Sequence, residues 1–89
     1  MSVITVYVET NPETLLLSDD DRAVLRLLAT LGLAHRIIDL TLTGGAARHF
    51  AEQLGVRSTP TLICENQKFD GLKQITDMLK NKTVPAQKQ

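Results

Sequence analysis

Apolar residues recur along this chain with two different spacings, and these spacings predict its secondary structure. Residues 3–8 are β-branched or apolar at nearly every position, which predicts a strand buried on both of its faces. Further along, four apolar residues stand at the helical spacing i, i+3, i+4 and i+7, namely Val24, Leu27, Leu28 and Leu31. This spacing predicts an amphipathic helix that ends near Gly32.

The start of this helix is marked by Ser18 and three consecutive aspartates, Asp19, Asp20 and Asp21. The Ser18 hydroxyl can cap the helix, and Asp21, three residues later, resembles the acidic member of a capping box. Consecutive helical residues point in different directions, which disfavours a metal site made of the three carboxylates. A well-capped helix start is the simplest interpretation, and a binding site for a partner's basic group is the alternative.

After the first helix, the same patterns predict the remaining segments. In chain order they are a strand at residues 34–40, a loop at 41–45, a helix that ends at Gly55, a strand at Thr61–Cys64, a tight turn at 65–67 with a short strand at Lys68 and Phe69, and a third helix. The second helix is expected to bury one face, made of Ala47, Phe50, Ala51 and Leu54. The apolar stripe of the third helix consists of Leu72, Ile75 and Leu79, and Met78 lies beside it.

The predicted order β-α-β-α-β-β-α indicates an α/β fold. Because a helix connects the first two strands, these strands should be parallel with a right-handed connection, and the last two strands should form an antiparallel hairpin. Helices on both faces explain why the first strand is apolar on both sides. We expect one domain over residues 1–80 and a flexible C-terminal tail over residues 81–89.

Composition excludes several classes of function. The formal net charge is zero, which argues against a general nucleic-acid-binding protein. No apolar run approaches the roughly 20 residues that a membrane-spanning helix needs. Cys64 is the single cysteine, so an internal disulfide is excluded, and no signal peptide is evident; the cytoplasm is the expected location. His35 and His49 have no cysteine or second histidine at ligand spacing, so we expect no metal.

The stretch from Gly55 to Cys64 brings a helix end, a proline and an apolar strand together. Pro60 has no N–H to donate, and its ring favours an extended conformation at Thr59. Only about 5–6% of X-Pro bonds in folded proteins are cis, so the spacing alone favours an ordinary trans proline that opens a strand.

Several short motifs give the chain a family resemblance. They are Val6-Tyr7 in the first strand, Leu27-Leu28 with Leu31-Gly32 in the first helix, Ile38-Asp39 at the end of the second strand, and residues 55–60. With this order of elements, the chain resembles the glutaredoxin-like branch of the thioredoxin-fold superfamily over residues 3–80. The resemblance implies a three-layer α/β/α fold, a four-stranded mixed sheet in the order 2-1-3-4, and a cis Pro60 beside the start of the first helix.

The chain departs from this family at the residues that carry its chemistry. The family's Cys-x-x-Cys motif falls on residues 18–21, where no thiolate is present for disulfide exchange. Glu9 stands where glutaredoxins often carry a lysine for the glutathione carboxylate, and Gly71 is the single glycine left of a Gly-Gly pair. The resemblance therefore implies that glutathione binds poorly, and we expect no catalytic residue and no cofactor.

We predict from this pattern a redox-inactive glutaredoxin-like module that binds a protein partner. The binding surface would be a groove between Thr59-Pro60 and the segment from residue 9 to residue 20. The predicted binding residues are Glu9, Ser18, Asp19, Arg57, Thr59, Pro60 and Gly71. The chain also resembles the cysteine-less glutaredoxin-like adaptors of eukaryotes and the thioredoxin-like proteins of bacterial circadian clocks, both of which act by binding proteins.

Two alternatives stay open at this point. The chain could be a divergent glutathione- or thiol-dependent oxidoreductase that acts in cell redox homeostasis and uses Cys64 or a partner's thiol. Cys64 is, however, expected to be a buried, inert thiol in the third strand. The chain could also form a homodimer through an exposed edge strand or through the first helix. Arg48 and Arg57 flank the second helix and are expected to lie in solvent.

Overall fold

A computed structural model describes residues 3–42 and 45–83 of the chain. The elements in chain order are β1 (Ile4–Val8), α1 (Asp19–Thr30), β2 (His35–Asp39), α2 (Gly45–Gln53), β3 (Thr61–Cys64), β4 (Gln67–Asp70) and α3 (Gly71–Thr83). The predicted order β-α-β-α-β-β-α is therefore confirmed.

The four strands form one mixed sheet in the order β2-β1-β3-β4. Strand β1 is parallel to β2 and antiparallel to β3, with Tyr7 opposite Ile38 on one side and Thr61 on the other. Strands β3 and β4 form an antiparallel hairpin. This is the α/β arrangement and the strand order that the sequence predicted.

Side chains of β1 alternate between the two faces of the sheet, and each face is covered by helix. On one face, Val6 packs in a core that includes Leu28 of α1 and Ile75 of α3, all three of them fully buried. On the opposite face, Tyr7 packs against Ala51 of α2 in a smaller core. Helices on both faces remove β1 from water, which is why it is apolar almost throughout. Within the described ranges, no helix has the length and apolar character needed to cross a bilayer.

The prediction that α2 buries Ala47, Phe50, Ala51 and Leu54 was wrong in part. Ala51 is buried, but Phe50 is 59% exposed and Leu54 is 43% exposed. The helix is nine residues long and meets the sheet through the small side chain of Ala51. Phe50 is one residue earlier and is therefore rotated away from Ala51 by about 100° around the helix axis, toward solvent.

Two predicted boundaries also need correction. The third helix continues to Thr83, past residue 81, where the tail was predicted to begin. Residues 84–89 lie outside the described residues. The hairpin turn consists of Glu65 and Asn66 alone, with φ of 55° and 65°. Positive φ at both central residues is typical of a two-residue hairpin turn, and it leaves Gln67 free to pair with Cys64 in the ladder.

The peptide bond between Thr59 and Pro60 is cis. This is the isomer that the family resemblance implied, whereas the spacing of residues alone favoured trans. The Pro60 carbonyl accepts a hydrogen bond from the N–H of Gly71 at 2.9 Å. The bend before β3 is thereby joined to the first residue of α3.

Candidate functional site

The site is built around the first turn of α1, which Ser18 caps as predicted. The Ser18 Oγ accepts a hydrogen bond from the N–H of Asp21 at 3.1 Å. The three aspartates that follow have different surroundings because they point in different directions around the helix. Asp19 is exposed and forms an ion pair with Arg22 at 2.5 Å, whereas Asp21 is fully buried.

The buried carboxyl of Asp21 connects three segments of the chain. Its Oδ2 accepts a hydrogen bond from the N–H of Glu9, just after β1, at 3.1 Å. The same oxygen accepts a hydrogen bond from the Thr59 hydroxyl, just before β3, at 3.2 Å. The predicted contact between residues 18–21 and the bend at Pro60 is therefore confirmed.

Asp21 is also electrostatically unusual. Burial raises the pKa of Asp21 above its ordinary value, and the negative charge of Glu9 raises it further, while the hydrogen bonds from the Glu9 N–H and the Thr59 hydroxyl, together with the nearby Ser18 hydroxyl, lower it in part. Its Oδ1 is buried and has no hydrogen-bond partner among the described residues. A buried carboxylate oxygen without a partner is rare, because the cost of removing it from water is not repaid.

A second carboxyl, that of Asp39 at the end of β2, orders the neighbouring loops. Its oxygens accept hydrogen bonds from the N–H and the hydroxyl of Thr10 and from the N–H groups of Thr41 and Leu42. The Thr41 hydroxyl in turn donates to the Thr10 carbonyl at 2.6 Å. Burial by itself raises the pKa of Asp39, but these hydrogen bonds outweigh burial and lower the pKa below its ordinary value.

The loop between β1 and α1 closes on itself. The side-chain oxygen of Asn11 accepts hydrogen bonds from the N–H groups of Glu13 and Thr14, which is the arrangement of an Asx turn. The backbone of Asn11 also bonds to the N–H of Leu15 and to the carbonyl of Leu16. Leu15 and Leu16 are 74% and 57% exposed at the end of this closed loop.

A groove of about 490 Å³ lies between this loop and Thr59. We call it the Thr59 groove; its lining residues are Glu9, Thr10, Asn11, Pro12, Thr14, Leu16, Leu17, Ser18 and Thr59. The only charged side chain in this lining is that of Glu9. The groove occupies the position predicted from the sequence, between the bend at Pro60 and the segment that follows β1.

A second cavity, of about 340 Å³, shares Glu9 and Thr59 with the Thr59 groove. We call it the Arg48 cavity, because Arg48 lines it and forms an ion pair with Glu9 at 2.5 Å. Arg48 was expected in solvent, but its side chain is only 44% exposed. Arg57 also lines this cavity and is exposed, as predicted.

The seven predicted binding residues do not all meet at one place. Glu9, Ser18 and Thr59 line the Thr59 groove together, and Arg57 lies in the adjacent Arg48 cavity. Pro60 is buried behind Thr59, and Gly71 is held to it by a backbone hydrogen bond; neither lines the groove. Asp19 also lies outside the groove lining and is paired with Arg22.

Sequence reasoning missed the role of Asp21 and of Asp39. Asp21 was assigned to a helix cap. Its carboxyl, however, accepts hydrogen bonds from Glu9, which is 12 positions away in the sequence, and from Thr59, which is 38 positions away. Asp39 was noted only as the end of a strand, although a polar residue at the carboxyl end of a strand is a recognisable sign of a site. No local pattern distinguishes the buried Asp21 from the exposed Asp19, since both follow the same cap.

Cys64 lies at the far end of β3 from Pro60. Its side chain is 3% exposed, which confirms the expectation of a buried thiol. It borders a third cavity, of about 520 Å³, between the β3–β4 hairpin and α3. Four residues of extended strand span about 13 Å, so this thiol is well separated from the Thr59 groove.

Comparison with known proteins adds no relative. Neither the protein-family models nor the curated proteins include a match to this chain.

Proposed function

We propose that the chain is a redox-inactive glutaredoxin-like module that binds an extended segment of a protein partner in the Thr59 groove. The observation that carries the proposal is the hydrogen bond from Thr59 to Asp21, which holds the bend before β3 against the start of α1. The groove lies along this junction, and the closed loop lines its other side through Asn11, Thr14 and Leu16.

The backbone of Thr59 is suited to pair with an incoming strand. Its N–H and C=O form no hydrogen bond with another described residue, and the residue is only half-buried. Unpaired backbone groups at the edge of a groove can accept an extended peptide by strand addition. The exposed Leu16 beside them offers apolar surface for the side chains of that peptide.

Chemistry by thiol exchange has little support at this site. The chain has serine and aspartate, at positions 18 and 21, where the family carries cysteine. Disulfide exchange requires a thiolate, which neither side chain supplies. The single thiol, that of Cys64, is buried, and buried thiols are poor nucleophiles.

Affinity capture with matched variants tests the proposal. The full chain, Thr59→Pro, Glu9→Lys and the control Asp77→Lys would each be immobilised and incubated with extract of the native host. Thr59→Pro removes the backbone donor, Glu9→Lys reverses the charge of the groove, and Asp77 lies on α3 away from it. Each variant must first give a native far-UV circular dichroism spectrum. We then expect a partner that binds the parent and the Asp77→Lys control but binds neither groove variant.

A partner retained equally by all four proteins would show that the groove is not the binding surface. The oxidoreductase alternative is tested separately, by reduction of a disulfide substrate with glutathione. Turnover that Cys64→Ser abolishes would replace the binding proposal with an enzymatic one. The homodimer alternative predicts a molecular mass that rises with concentration in sedimentation equilibrium.

A further inference from the structure

One acidic side chain, that of Glu9, lines the Thr59 groove and a second, that of Asp21, is bonded to its lining, whereas no basic residue is among the described residues of the lining. Glu9 lies in the lining itself. Asp21 is not in the lining, but its Oδ2 accepts hydrogen bonds from two lining residues, Glu9 and Thr59. Three basic residues lie near the groove but outside its lining: Arg22 is paired with Asp19, Arg48 is paired with Glu9, and the exposed Arg57 lines the adjacent Arg48 cavity.

The second observation is the unpaired oxygen of Asp21. The side chain is fully buried, and its Oδ1 has no partner within the described ranges. The negative charge of Glu9 acts on this carboxyl and opposes its ionisation. A buried carboxyl with spare acceptor capacity beside a second carboxylate is a site at which a positive charge is favoured.

We propose, building on the binding function above, that the partner segment carries a lysine or arginine whose charged end enters the Thr59 groove between Glu9 and Asp21. The Thr59 hydroxyl donates a hydrogen bond to the Asp21 carboxyl in the free chain, and the basic group of the partner would take the place of this donor. Leu16 and Leu17 line the same groove and contact the aliphatic part of a long basic side chain.

The ion pair between Glu9 and Arg48 does not block this role. Both side chains are close to half exposed, at 42% and 44%. Pairs of this kind contribute little to stability, so the Glu9 carboxylate is free to turn toward a second cation. A metal ion is the less suitable cation, because no group of three metal-binding side chains occurs in the described part of the chain.

Peptide selection tests the proposal without knowledge of the natural partner. Random 12-residue peptides displayed on phage would be selected on the full chain and counter-selected on Thr59→Pro. The selected peptides would be synthesised in pairs that differ at one position, with arginine or its neutral isostere citrulline. Affinity for the parent, Glu9→Gln, Asp21→Asn and the control Asp77→Asn would be measured by fluorescence anisotropy.

We expect the arginine peptide to bind the parent and Asp77→Asn about tenfold more tightly than the citrulline peptide, as one charge-assisted hydrogen bond provides. In Glu9→Gln and Asp21→Asn this ratio should fall toward one. Because the ratio compares two peptides on the same protein, a variant with altered overall affinity still reports on charge recognition. If Asp21→Asn does not fold, Glu9→Gln carries the test.

Two other results would overturn the inference, and they are distinguishable. Selected peptides that need an intact Thr59 but bind equally well with citrulline would refute the basic side chain and leave the binding function standing. Selection that yields only peptides bound equally by Thr59→Pro would refute the groove as a peptide site, and with it both proposals.

Discussion

Replacement of Asp39 by alanine should loosen the loops that form one side of the candidate site. The Asp39 carboxyl accepts two hydrogen bonds from Thr10 and one each from the N–H groups of Thr41 and Leu42. These donors lose their acceptor together in Asp39→Ala. The hydrogen bond between the Thr41 hydroxyl and the Thr10 carbonyl would remain between the two threonines.

The magnitude follows from the exposure of each donor. Leu42 is exposed, so its N–H can bond to water, whereas Thr10 is 8% exposed and its N–H cannot. One buried, unsatisfied N–H costs about 1–3 kcal/mol, and a lost charge-assisted bond from the Thr10 hydroxyl adds about 1.5–3 kcal/mol. We therefore expect Asp39→Ala to lower the free energy of unfolding by about 2.5–6 kcal/mol.

Urea unfolding followed by far-UV circular dichroism measures this loss, since the chain has no tryptophan for fluorescence. Asp39→Asn keeps one acceptor oxygen and should lower the free energy of unfolding by only about 1 kcal/mol. Asp77→Ala removes an exposed ion pair with Lys73 and should stay within about 0.5 kcal/mol of the parent. A loss in Asp39→Ala no larger than that in Asp77→Ala would refute the idea that this carboxyl holds the loops.

Three further predictions concern single residues. Because burial raises the pKa of Asp21, the folded chain binds the proton of this carboxyl more tightly than the unfolded chain does. The protonated carboxyl therefore stabilises the fold below the ordinary pKa of 3.8, and this contribution is lost as pH rises through the folded pKa. Asp21→Asn should therefore become more stable relative to the parent as pH rises from 3 to 7 in urea titrations, and a change of the opposite sign would contradict the assignment. Gly71 has a φ of 85°, so Gly71→Ala should lower the free energy of unfolding by roughly 1–2 kcal/mol. Gly45 has open space around it and no positive φ, so Gly45→Ala should lower the same quantity by less in the same assay. The buried Cys64 thiol should react with a thiol reagent only at the rate of unfolding, and rapid labelling of the native chain would show that it is accessible.

The elements predicted most closely from the sequence are those whose signals are local. The predicted bounds of the third strand, Thr61–Cys64, are those observed for β3, because an apolar run that follows a proline marks the start of a strand. The cap at Ser18 was also correct, since a cap depends on the three residues that follow it. Phe50 was placed on the wrong side of α2, because the burial of a helix face depends on how the helix lies on the sheet.

The place of the Thr59 groove could be predicted from the sequence, but the contacts that form it could not. The bend at Pro60 and the segment after β1 were expected to face each other, and the Thr59 groove lies there. The residue that joins them, Asp21, was not recognised, because its partners Glu9 and Thr59 are remote in the chain. The ion pair between Glu9 and Arg48 was missed for the same reason, since these residues are 39 positions apart.

The chain by itself determined the order of helices and strands, the two-sided burial of β1 and the absence of cysteine from the start of α1. These properties depend on side-chain period, capping and composition, which act over a few neighbouring residues. Only the tertiary structure decided which of three adjacent aspartates is buried and which carboxyl holds which loop. A carboxyl acquires its pKa and its partners from donors and charges that the fold brings near it, and these come from segments far away in the sequence.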